Sequence, residues 1–331
     1  VTRTISCRAR LNVVTLDGPN RRTKSDSDVV SCPHARSTDA ERYLALAARI
    51  KRRWPGICVV FGGANFEGEM GLELVRTTPG QAALYGARNA RRTLEAGFTT
   101  VRDMGNDNAT LQQVMAEARA GTLMMPRIVA AGFLEGESEQ SARNGFVVSD
   151  LAGAREAIDW YAKHGYPQIK VYNSFPKEIL PQTVAYAHER GLRVSGHVPV
   201  FLRAQDAVDA GYDEIQHINQ LMLNFLVKPE TDTRTLERFY LPAREVADLD
   251  LDSKPVQAFI AELAQRRIVI DPTLATFEFL HKRDGQMSPI FAGIEEHLPP
   301  DVQRNRRAAE MDIPDDATGE RYRASFDRMV E

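Results

Sequence analysis

Three residues stand out for the chemistry their types allow: Lys170 in QIKVY (168–172), His197 in LRVSGHVP (192–199) and His217 in EIQH (214–217). Each lies at or just past the end of a short β-branched run, and each is alone in its run, so only a fold can bring them together. Imidazole nitrogen is a common ligand of zinc and other divalent metals, and a catalytic zinc site keeps one position open for water. Lysine is the unusual member, because an ammonium repels a cation. Flanked by Ile169 and Val171, its amine loses hydration, and desolvation favours the neutral form. A neutral amine can take up carbon dioxide as a carbamate, an anionic oxygen ligand able to bridge two metals. Taken singly, each residue has a structural reading: a strand-end histidine is usually a hydrogen-bonded structural group, and a strand-end lysine usually snorkels to water. The three together, with Gly196 and Pro199 shaping the turn around His197, point to a metal site.

Positioning them requires consecutive parallel strands. From Ile57 onward, β-branched runs at 57–60, 98–102, 127–130, 168–172, 192–196, 214–217 and 267–270 predict seven strands. Between them, residues 81–96, 153–164 and 182–190 have helical periodicity, and Gly97, Gly165, Gly191 and Gly211 suit the left-handed position that ends a helix. Strands alternating with helices imply right-handed βαβ units and a parallel sheet. A doubly wound sheet would carry GxGxxG after its first strand, and GGANFE (62–67) is not that motif. A (β/α)8 TIM-type barrel fits better, because the residues of metal-ligand type sit at the C-terminal ends of separate strands, where barrel active sites are built.

The chain divides by charge. Residues 1–56 hold 12 Lys and Arg against 5 Asp and Glu, and residues 57–331 hold 30 against 40. The acidic body argues against a nucleic-acid-binding surface. Residues 1–36 lack sustained periodicity and read as loop or disorder, while 38–54 predicts one amphipathic helix stopped by Pro55 and Gly56. The expected division is therefore a basic leader, 1–56, and a barrel, 57–331. No apolar run approaches the ~18 residues of a membrane span, and the first residues make a poor signal peptide. Cys7, Cys32 and Cys58 show no CxxC spacing and fit a reducing, cytoplasmic setting. The expected partners are a small-molecule substrate and, if strand edges are left open, a second copy of the chain.

Five stretches carry a family resemblance: NARRTLEAGFTTVRDMG (89–105), IKVYNS (169–174), AHERGLRVSGHVP (187–199), AGYDEIQHIN (210–219) and DPTL (271–274). In these, and in their order, the chain resembles the amidohydrolase superfamily. Within it, the similarity is to the branch of imidazolonepropionases and Xaa-Pro or Xaa-Arg dipeptidases. The resemblance implies a centre in which a carboxylated Lys170 bridges divalent metals, most commonly zinc, with His197 and His217 completing the second-metal site. Tyr172, two residues after Lys170 and on the same side of its strand, would contact substrate or pack in the barrel mouth. The implied reaction is hydrolysis of an amide or peptide C–N bond in a small, dipeptide-like substrate.

The match has gaps. Relatives carry a His-x-His pair at the end of the first strand, and the equivalent positions here are Cys58 and Val60. They also carry a metal-binding Asp on an eighth strand, whereas the segment ERYRASFDRMVE (320–331) predicts the helix before that strand. Asp271 is a nearby carboxylate that the resemblance makes part of the DPTL turn. The expectation is thus an incomplete barrel, short at both ends and weak or inactive as a catalyst. A lactonase or phosphotriesterase-like hydrolase and a non-catalytic remnant are the alternatives.

Overall fold

The computed structural model describes residues 12–15 and 57–60 and, apart from 96, 106–107, 143–144, 288–290, 292 and 299, residues 79–331. The helix expected over 38–54 lies outside the described residues. All seven predicted runs are strands: β2 (Ile57–Val60), β3 (Thr100–Asp103), β4 (Arg127–Gly136), β6 (Gln168–Val171), β7 (Arg193–Gly196), β8 (Glu214–Gln216) and β9 (Val269–Asp271). Two more were not anticipated. Strand β1 (Asn12–Thr15) falls in the leader read as loop, and β5 (Phe146–Val148) pairs with the end of β4.

The main sheet runs β3-β4-β6-β7-β8-β9, parallel throughout, with β5 also parallel to β4. One side chain shows how far it curls. Arg102 of β3, at one end of that order, donates to both carboxylate oxygens of Glu214 on β8 at 2.6 Å and to Asp271 on β9 at 2.9 Å. A flat sheet would hold these strands several strand spacings of ~4.8 Å apart. The curled parallel sheet with alternating helices is an incomplete (β/α) TIM-type barrel. Strands β1 and β2 pair antiparallel, and β1 comes within 8 Å of β9 and β2 within 8 Å of β3, so the pair lies against both sheet edges.

Helices α1 (Pro79–Glu95), α2 (Asn108–Arg119), α3 (Leu151–Lys163), α4 (Leu180–Glu189) and α5 (Ala204–Asp209) punctuate the strands, and α6 (Ile218–Leu226) follows β8 directly. The Asp150 carboxylate caps α3 by accepting the Gly153 N–H at 2.8 Å, and all four predicted helix-ending glycines have positive φ. Strand side chains alternate. Ile169, Val171, Val194 and Ile215 point outward into the core shared with Ala157, Ile158, Val184, Ala187 and Val208 of the helices. The opposite parity, Lys170, Ser195, Glu214 and Gln216, is polar and buried inside the curl.

Helices α7 (Glu237–Glu245), α8 (Lys254–Arg266), α9 (Leu274–Phe277), α10 (Pro300–Arg307) and α11 (Asp316–Val330) complete the chain. The predicted C-terminal helix is α11. It joins a second apolar cluster, in which its Tyr322, Phe326 and Met329 pack with Ile218, Ala243, Val246, Phe277 and Leu280.

Candidate metal centre

Lys170 lies on β6, His197 immediately follows β7, and His217 immediately follows β8, so parallel pairing brings them to one end of three adjacent strands. The two imidazole rings lie 4.4 Å apart, centroid to centroid, and the Tyr172 ring packs edge-on to His197 at 4.2 Å. The Lys170 ammonium sits 5.4 Å from the centre of the Tyr172 ring. Lys170 and His197 are buried and His217 partly so. The structure thus brings together all four residues singled out from sequence.

Local geometry explains why these positions are built this way. Gly196, before His197, has φ +136°, and a Cβ there would lie 2.1 Å from the Val171 carbonyl oxygen, so only glycine lets β7 press against β6 at this point. His217 has φ 72°, uncommon for a residue with a side chain. The turn after β9 holds it there: His217 N–H donates to the Asp271 carbonyl at 2.7 Å and Ile218 N–H to the Pro272 carbonyl at 3.0 Å. From the same turn, Thr273 Oγ1 meets His217 Nδ1 at 2.7 Å. This leaves Nε2 of His217 as the nitrogen available to a ligand. Nδ1 of His197 is buried without any hydrogen-bond partner.

Burial, opposed mainly by the Asp271 carboxylate, pushes the Lys170 ammonium down to about 8. Burial also lowers His217 to about 3, with the nearby charges of Lys170 and Arg238 acting the same way, and holds His197 well below its ordinary range. At neutral pH both imidazoles are neutral, and Lys170, though still mostly ammonium, has far more free amine (about a tenth) than an ordinary lysine. Those are the protonation states that metal ligation and carbamate formation require. Among the described residues, no three or more His, Cys, Asp and Glu side chains form a metal cage, so a third donor beside the histidine pair has to be of another kind, such as Lys170. An orphaned ring nitrogen, a second oriented by a hydroxyl and a deprotonatable amine fit a divalent cation.

Deeper in the curl, sequence reasoning missed a buried ion group. Arg102, Glu214 and Asp271 have side chains 8%, 2% and 5% exposed. Asp271 therefore engages Arg102 through Oδ2, while its Oδ1 has no hydrogen-bond partner and burial raises its pKa. The usable signal was parity, since Arg102 sits mid-strand in a polar-inward position. Thr273 had no such signal, because its role depends on contact with His217, 56 residues earlier in the chain. A surface groove of about 530 Å³ between α7 and α11, lined by Tyr240, Arg244, Arg321 and Tyr322 among others, shares no residue with the centre.

Residues 60–221, just under half the chain, match the Amidohydrolase family. Among solved structures, an amidohydrolase is 17% identical, with 74% of this chain and 56% of that one covered and a TM-score of 0.42. Bottromycin amidohydrolase is 18% identical (70% and 48% covered, TM-score 0.43). A Xaa-Pro dipeptidase with methionine bound in its active site is 18% identical (75% and 70%, TM-score 0.39). The chain thus spans about half the length of the first two. No curated protein sequence matches the chain.

Proposed function

We propose that this chain is a metal-dependent amidohydrolase that cleaves an amide or peptide C–N bond in a small, dipeptide-like substrate, in the manner of the Xaa-Pro dipeptidase and imidazolonepropionase branch. The observation that carries the reading is the convergence of Lys170, His197 and His217 at one end of three adjacent parallel strands, with His197 Nδ1 left unpartnered.

In this reading His197 donates through Nδ1 and His217 through Nε2, and Thr273 fixes the second ring. The Lys170 amine attacks the carbon of carbon dioxide and loses a proton to water, giving a carbamate oxygen as third donor. A divalent ion held there, most commonly zinc, supplies Lewis-acid polarisation of the scissile carbonyl and acidifies water near neutral pH. Tyr172, packed against His197, borders the open side and contacts substrate. The family's use of divalent metals supports the cofactor class.

The test is metal analysis of the purified chain with and without bicarbonate, together with a panel of dipeptides, lactones and organophosphates. The reading requires close to one zinc per chain, lost in Lys170→Ala and His197→Ala, and turnover confined to the peptides. Turnover of lactones or phosphotriesters alone would shift the substrate class. No zinc under any condition, with no turnover, would make the chain a non-catalytic member of its fold.

A further inference from the structure

One peptide plane joins the two histidine segments. On its N-terminal side, His197 is fixed by its own N–H, which donates to the Val171 carbonyl at 3.0 Å. On its C-terminal side, the plane between His197 and Val198 is held at both ends by side chains. The Tyr212 hydroxyl donates to the His197 carbonyl at 3.1 Å, and the Val198 N–H donates to Oε1 of Gln220 at 3.3 Å. Tyr212 and Gln220 are both buried, so neither bond competes with bulk water.

Both side chains come from the stretch that carries His217. Tyr212 stands five residues before it, ahead of β8, and Gln220 three residues after it, in the first turn of α6. Gln220 also bonds to His217 directly, because its N–H donates to the His217 carbonyl at 3.0 Å. One residue therefore grips both histidine segments, with its backbone on one and its side chain on the other. Pinning the peptide planes on either side of His197 fixes its φ and ψ, and these set the direction in which its side chain leaves the backbone. The ring is left 4.4 Å from that of His217, and its Nδ1 is unpartnered while the N–H and carbonyl of the same residue are both bonded.

We propose that Tyr212 and Gln220 are positioning residues that hold His197 and His217 at the spacing needed to share one divalent ion. This rests on the metal-centre reading given above and names what sets its geometry. Each residue acts through the His197 backbone rather than as a ligand. A ligand held in place before the ion arrives loses little freedom on binding, and groups that orient metal-binding histidines contribute about 10–100-fold in affinity.

The experiment compares the full wild-type chain with Tyr212→Phe, which deletes only the hydroxyl, and Gln220→Met, which keeps the length and removes the acceptor. Circular dichroism first establishes equal folding. Metal-free protein with labelled histidine rings is then read for the nuclear Overhauser contact between the His197 and His217 ring protons, and zinc affinity by competition with a chelating dye. The expected result is a ring contact in the wild type that weakens in both variants, with zinc bound about tenfold or more less tightly. An unchanged ring contact and unchanged zinc affinity in both variants, even with a lowered melting temperature, would overturn the assignment and leave two purely structural bonds. A wild type that binds no zinc but loses its ring contact in the variants would overturn the metal reading and leave the positioning role standing.

Discussion

Arg102 offers the sharpest test of how the sheet is held in its curl. Its guanidinium bonds both oxygens of Glu214 at 2.6 Å and Asp271 at 2.9 Å, joining β3 to β8 and β9. Arg102→Met keeps most of the aliphatic stem and removes only the charge and its donors. Glu214 and Asp271, 2% and 5% exposed, then remain as buried carboxylates that have lost their hydrogen-bonded counter-ion and keep only the more distant Lys170 ammonium. Removing one partner of a buried ion pair costs about 3–5 kcal/mol, because the charge left behind stays desolvated. For a chain of this size that lowers the melting temperature by roughly 5–15 °C. Arg102→Lys keeps the charge but not the fork and should cost about 1–2 kcal/mol. Arg102→Met with Glu214→Met removes an orphaned charge as well and should recover part of the loss. Urea unfolding followed by tryptophan fluorescence measures each value. An Arg102→Met protein within about 0.5 kcal/mol of wild type, or a double variant no more stable than the single, would refute the idea that this ion group ties the sheet together.

Three further outcomes follow from the geometry. Thr273→Val removes the hydroxyl that orients His217 while keeping its shape, and should weaken zinc affinity by about 10–100-fold in competition with a chelating dye. Unchanged affinity would show that Thr273 does not set the ring. Gly196→Ala places a methyl 2.1 Å from the Val171 carbonyl oxygen at φ +136° and should destabilise the fold by about 3 kcal/mol or more, so a wild-type thermal melt would contradict the close approach of β7 and β6. His281, buried against Phe326 and lowered from 6.5 to about 4 chiefly by desolvation, refuses a proton in the folded state that the unfolded chain accepts. Its folded pKa is depressed, so stability is full above pH 6.5 and falls between 6.5 and 4 by about 2–3 kcal/mol. His281→Gln should flatten that part of the stability profile, and an unchanged slope relative to wild type would count against the burial argument.

The legible and illegible parts of this fold separate by how far along the chain each determinant acts. Seven strands could be read because β-branched runs such as QIKV and RVSG alternate with helical periods inside windows of a few residues, and the glycines that end the helices sit beside them. The centre could be read in outline because Lys170, His197 and His217 each lie within a residue of the C-terminal end of their own strand, and parallel pairing brings those ends together. Strand β5 escaped notice because FVV is three residues long and is held by the extended end of β4. Strand β1 escaped because NVVT is surrounded by residues without period, and its pairing with β2 spans more than 40 positions of sequence. The Arg102–Glu214–Asp271 group and the Thr273 contact share a further reason. The ion group is set by the curl that brings β3 opposite β8 and β9, and the Thr273 contact by the pairing of β8 with β9 across more than 50 positions, and neither is a property of any window of sequence.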